Sequence, residues 1–150
     1  FVRLEGRVYR QVLFDRGSIP SRALTNPDMT AGYFFGTRVD CDWVDGSPIN
    51  YFYPDGRLAS SGEVISVDPP HSLERLFLPE WDDELRAEGP VREIWKLARN
   101  NGMVEVTVEM HDIAVDSAIF KDFTTGFPWI IASMKSLIET GKGLPPPEFD

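Results

Sequence analysis

The sequence predicts an α+β domain in which one antiparallel sheet curves around a long C-terminal helix, and three observations carry that expectation. Segments of period two follow one another along most of the chain, joined by short turns of Asp, Asn, Gly and Pro. One stretch near the C-terminus changes to spacings of three, four and seven, the pattern of an amphipathic helix. The 150 residues suit a single domain, long enough to bury roughly 70% of the unfolded-state surface in one core.

Val8-Tyr9-Arg10-Gln11-Val12-Leu13-Phe14 reads as a first strand, broken by the stretch from Asp15 to Ser18. Ser18-Ile19-Pro20 has the form of a helix start, with Ser18 as cap and Pro20 in the first turn. That short helix passes through Ala23 and Leu24 and stops at Asn26-Pro27, because the residue before a proline avoids helical angles. Pro27-Asp28-Met29-Thr30-Ala31 opens a second short helix, ending near Tyr33-Phe34-Phe35-Gly36.

The clearest strand is Thr37 to Val44, with Val39, Cys41 and Trp43 on one face and Arg38, Asp40 and Asp42 on the other. Asp45-Gly46 signals a hairpin into Pro48 to Tyr53, where Ile49, Tyr51 and Tyr53 share a face. Pro54-Asp55-Gly56 is a tight turn, proline fixing φ and glycine accepting a positive one. Leu58 to Val67 makes the next strand, with a bulge expected at Gly62 and a stop at Asp68-Pro69-Pro70. Ser72 to Leu78 is a further strand, and the acidic stretch Pro79 to Pro90 reads as an exposed loop. Val91 to Arg99 and Met103 to Met110 form a hairpin across Asn100-Asn101-Gly102. In the final helix, Phe127 to Glu139, the stripe is Phe127, Ile130, Ile131, Met134, Leu137 and Ile138. Thr125 or Gly126 caps its start, Pro128 falls in the first turn, Gly141 ends it, and 143–150 is a proline-rich tail.

The net charge of −9 leaves no basic stripe to displace counterions from nucleic-acid phosphates, and it disfavours anionic membrane surfaces. No apolar run approaches the ~20 residues of a membrane-spanning helix, and no secretory signal opens the chain. Cys41 has no second cysteine to pair with, which points to a reducing, cytoplasmic setting. Two histidines and one cysteine, widely separated, make no zinc pattern, and no cofactor motif is present.

The order of elements asks a curved sheet to bury one face against a single helix, which leaves a cavity because one helix cannot fill the concave side. Leu24-Thr25-Asn26-Pro27-Asp28 leading to Tyr33-Phe34-Phe35-Gly36, then Trp43 and Gly46-Ser47-Pro48, form an ordered set of short motifs. The set continues with Gly56-Arg57-Leu58, Gly62-Glu63-Val64, Asp68-Pro69-Pro70 and Gly126-Phe127-Pro128-Trp129, and closes on Leu137-Ile138-Glu139-Thr140-Gly141-Lys142. Over nearly its whole length the chain resembles the bacterial homologues of the activator of Hsp90 ATPase, C-terminal domain, within the START-like SRPBCC superfamily. The resemblance implies a helix-grip fold. Many members carry a histidine near the end of the last strand; here Met110 stands there and His111 follows.

Three function classes compete. The first, favoured, is non-catalytic binding of a hydrophobic or aromatic small molecule between sheet and helix. Its expected lining is Trp43, Tyr51, Trp95, Met110, Trp129, Ile130, Met134 and Leu137, with the Tyr51 hydroxyl orienting a polar end. Any one of these rings alone packs a core; their number and the tyrosines' need for partners favour a pocket. The second class is a co-chaperone-like protein-binding domain with a chaperone or other protein as partner, implied by the resemblance. The third is a cyclase or aromatase of polyketide type, also within the superfamily. His111 beside Asp112 is a poor acid–base pair because neighbours on a strand face opposite ways, and Cys41 has no base near it in sequence. Asp82, Asp83, Glu84 and Glu88 lack the glycine turn of a cation loop.

Overall fold

Strand β1 (Leu4–Phe14) is followed by α1 (Ile19–Thr25) and α2 (Pro27–Tyr33), then by strands β2 (Arg38–Cys41), β3 (Ile49–Phe52), β4 (Leu58–Asp68) and β5 (Ser72–Pro79). A short α3 (Asp83–Ala87) precedes β6 (Val91–Asn100) and β7 (Met103–Ala114), and α4 (Ala118–Thr140) closes the chain. These elements come from a computed structural model that describes residues 4–14, 19–68 and 71–145. The expected Ser18 cap, the Pro69-Pro70 stop and the tail beyond 145 lie outside those residues.

All strands join one antiparallel sheet in the order β1-β7-β6-β5-β4-β3-β2. Consecutive hairpins build β2 to β7, and β1 closes the far edge against β7. The sheet curves round α4 in the helix-grip arrangement, with α1 and α2 packed beside the helix. Asn101 and Gly102 turn β6 into β7 with positive φ at both residues, the two-residue hairpin geometry that asparagine and glycine tolerate best. Among the described residues, no helix is long and apolar enough to cross a membrane.

Four local expectations need correction. β2 ends at Cys41, and Trp43 lies in the following turn with φ of 59°, its amide donating to Cys41 Sγ at 3.3 Å. Gly62 pairs in register with Phe77, and the bulge falls between Val64 and Ser66. Glycine is needed at 62 because a Cβ there would lie 1.8 Å from the Leu76 carbonyl oxygen of the neighbouring strand.

The stretch Pro79 to Pro90 contains α3, capped by Asp82, whose carboxylate accepts from the Leu85 amide at 3.0 Å and holds Leu85 in the core. Its Glu88 carboxylate accepts from the Ala118 and Ile119 amides at 2.9 and 3.2 Å, so this acidic segment caps the start of α4.

Helix α4 starts at Ala118, capped by Ser117, and Pro128 is inside it. Both Pro128 and Thr124, whose carbonyl the proline leaves without its helical donor, are exposed. Ile119, Phe123, Phe127, Ile130, Ile131, Met134 and Ile138 form the buried stripe, and Gly141 ends the helix with φ of 85°. Each fully buried side chain of this kind contributes ~1.5–3 kcal/mol relative to exposure.

Candidate functional site

The inward face of the sheet carries a charged pair at its centre. Arg75 on β5 and Glu93 on β6 are register partners, and both are at most 1% exposed. Arg75 Nε and Nη2 donate to Glu93 Oε1 at 3.2 and 3.0 Å, and Nη1 donates to the Tyr51 hydroxyl. The Trp95 indole N–H donates to the same Glu93 oxygen at 3.0 Å. The guanidinium carbon lies 5.1–5.7 Å from the ring centres of Phe34, Tyr51, Phe77 and Trp95, a cation wrapped in aromatic faces. Burial works against the Arg75 charge, but Tyr51 and Glu93 outweigh it and hold the side chain more basic than an ordinary arginine. Burial likewise pushes the Tyr51 hydroxyl up, with Arg75 opposing.

Towards the end of the sheet the layer opens. A cavity of about 470 Å³ is lined by Phe34, Phe35, Thr37, Tyr53, Ala59, Ser60, Trp81, Asp122, Thr125 and Gly126. Its volume lies within the range typical of small-molecule pockets. The end of α2 and its turn place Phe34 and Phe35 on one side, anchored because Thr30 Oγ1 donates to the Thr37 carbonyl at 2.9 Å and accepts from the Val39 amide at 3.1 Å. Strand β4 supplies the floor through Ala59 and Ser60, Tyr53 joins it from the turn after β3, and α4 supplies Asp122, Thr125 and Gly126.

At the rim Phe35 is 39% and Trp81 40% exposed, large apolar surface left facing water. Phe35 also holds a positive φ of 54°, a strained position for an aromatic residue. The polar groups are few. Thr37 Oγ1 donates to the Phe34 carbonyl at 2.6 Å, whereas Ser60 Oγ is buried without any protein partner. Solvent reaches Asp122, yet the protein around it removes enough water to push its carboxyl pKa up, helped by the charge of Asp82.

The eight residues expected to line a pocket lie outside this lining. Tyr51, Trp95, Met110, Ile130 and Met134 are buried in the core between sheet and helix. Tyr51 stacks on Phe34 with ring centres 4.8 Å apart, one layer behind the cavity wall, and Trp129 stacks on Phe35 at the same distance. The Trp129 indole also donates to the Pro145 carbonyl at 3.1 Å, so residues 143–145 turn back along α4. Leu137 lies over Gly32 of α2, and Trp43 is half-buried in the β2–β3 turn.

Sequence reasoning missed Ser60, Asp122, Gly126 and the Arg75–Glu93 pair. His111 Nε2 lies 3.0 Å from Glu109 Oε1, while Asp112 pairs with Arg92 at 3.3 Å. Asp112 has a positive φ and shifts the alternation of β7 between Met110 and Ile113.

Residues 22–139 match the family model described as activator of Hsp90 ATPase homolog 1-like protein. No curated protein matches the sequence. Among solved structures, a protein from Mesorhizobium loti is similar at 16% identity with a TM-score of 0.75, covering 90% of this chain and 97% of that one. The Aha1 dimer from Colwellia psychrerythraea gives 16% identity and a TM-score of 0.72, covering 93% and 99%. An HSP90 activator from Plasmodium falciparum gives 10% identity and a TM-score of 0.70, covering 91% and 96%. At these identities the likeness to each structure is one of fold.

Proposed function

Since this chain belongs to the family of activator of Hsp90 ATPase homolog 1-like proteins, we propose that it uses the helix-grip cavity to bind a hydrophobic or aromatic small molecule without transforming it. The observation that carries the reading is the 470 Å³ space itself, walled by Phe34, Phe35, Tyr53 and Trp81, with the unpartnered Ser60 hydroxyl buried in the wall. An unpaired buried hydroxyl costs ~1–3 kcal/mol. That cost is borne by the wall, and the rings take up an apolar body. Tyr51 and Trp129 then act from behind, bracing Phe34 and Phe35. Trp95, Met110, Ile130, Met134 and Leu137 belong to the packing that keeps the wall rigid, and Trp43 to the β2–β3 turn. In this reading the protein works in the cytoplasm.

Gly126 provides the test. A Cβ added there meets only Phe35 Cζ, at 3.8 Å, so a larger side chain can grow into the cavity without displacing backbone. Wild-type protein titrated calorimetrically with 2-naphthylmethanol should bind it at one site. Gly126→Leu should lose the heat of binding while melting no lower than wild type, since glycine within a helix costs ~1 kcal/mol against better helix formers. Equal binding by both proteins would remove the cavity from consideration.

A protein-binding reading has its own support in the family match and in the exposed Phe35 and Trp81 rings at the rim. A partner docking on those rings would be weakened by Trp81→Ala.

A further inference from the structure

The charge around the cavity is one-sided. Among the described residues that line it, Asp122 carries the sole formal charge, and Asp82 is near enough to raise its pKa. Basic groups beside the lining are already engaged. Arg57 lies over the Tyr53 ring at 5.2 Å but is held by Asp55, its Nε 2.7 Å from Asp55 Oδ2. Arg86 is paired with Glu80 at 3.1 Å. Lys121 precedes Asp122 but points about 100° round the helix from it. The whole chain adds a net charge of −9, which draws cations and repels anions at long range.

Four rings and one carboxylate around a single space are the components of an organic-cation site. Aromatic faces attract an ammonium group through their quadrupoles, and a nearby carboxylate completes its charge balance. Resting on the cavity reading above, we propose that the cavity selects organic cations, an aryl- or alkyl-ammonium whose apolar body lies against Phe34 and Phe35 and whose nitrogen sits between Trp81, Tyr53 and Asp122. Fatty acids and other carboxylate amphiphiles are disfavoured, because the lining offers them no cation and confronts them with Asp122.

A charge series of constant shape decides this: 2-naphthylmethylammonium, 2-naphthylmethanol and 2-naphthoate, titrated calorimetrically at low salt into wild type, Asp122→Asn and Asp122→Glu. The ammonium should bind wild type roughly tenfold tighter than the alcohol, with naphthoate weakest. Asp122→Asn should bring the ammonium to within about twofold of the alcohol measured on the same variant, and Asp122→Glu should keep most of the preference. Naphthoate binding as tightly as the ammonium, or a preference untouched by Asp122→Asn, overturns the cation claim while alcohol binding keeps the cavity reading. Binding by none of the three overturns both.

Discussion

Arg75 and Ser60 lie on adjacent strands of one sheet, each 1% exposed, and their surroundings are opposite. Arg75 donates to a carboxylate and a phenol within a collar of four rings. Ser60 Oγ has no partner, as has Glu93 Oε2 in the Arg75 pair, but Ser60 belongs to the wall of the cavity. The difference follows from what α4 places opposite each. At the centre Phe123 and Phe127 come down on Phe77 and Trp95, with ring centres 5.8 and 6.3 Å apart, and close the layer. At the end the helix presents Gly126, which has no side chain to close it. One sheet and one helix thus make a sealed polar core and an open pocket side by side.

That contrast can be broken from either side. Arg75→Met strands Glu93 as a buried, unpaired charge and should cost ~3–5 kcal/mol in urea denaturation. Arg75→Met combined with Glu93→Leu should recover most of the loss. Ser60→Ala removes a hydroxyl that already lacks a partner, so stability should hold or rise by up to ~1 kcal/mol. A small loss from Arg75→Met, or a large one from Ser60→Ala, would reverse the roles assigned to the two regions.

A smaller effect is expected at the rim. Burial and Asp82 raise the pKa of Asp122, so the native chain holds that proton more tightly than the unfolded chain. The resulting stabilisation is full below the ordinary aspartate value of ~3.9 and disappears as pH rises through the raised value. Asp122→Asn, a mimic of the protonated group, should therefore leave the melting temperature unchanged in acid and raise it slightly near neutrality. Equal melting temperatures of the two proteins at both pH values would place the carboxyl in open water.

The fold was legible because each strand declares its period within a few residues and its turns carry their own chemistry. Asn101-Gly102 and Gly56 stand where positive φ is required. The site was less legible for reasons of register. Leu73-Glu74-Arg75-Leu76 and Val91-Arg92-Glu93-Ile94 each put one charge on either face, so alternation alone cannot say which is buried. Pairing decides it: Arg92 meets Glu74 at 3.2 Å on the outer face, and Arg75 meets Glu93 inside.

Pro128 hid the first part of α4, and with it the helical positions of Asp122, Thr125 and Gly126. Ser60 looks like any strand serine in sequence. Its importance depends on the Tyr51–Ser60 and Ser60–Pro79 pairings, which set it beneath a helix more than sixty residues away.

The most direct measurement is an amide chemical-shift map of 15N-labelled protein titrated with 2-naphthylmethanol. The cavity account predicts that Thr37, Tyr53, Ser60, Thr125 and Gly126 move most, with Trp95, Met110 and Met134 nearly still. Largest shifts at Trp95, Met110 and Met134 would put the ligand between the centre of the sheet and α4 and contradict the account.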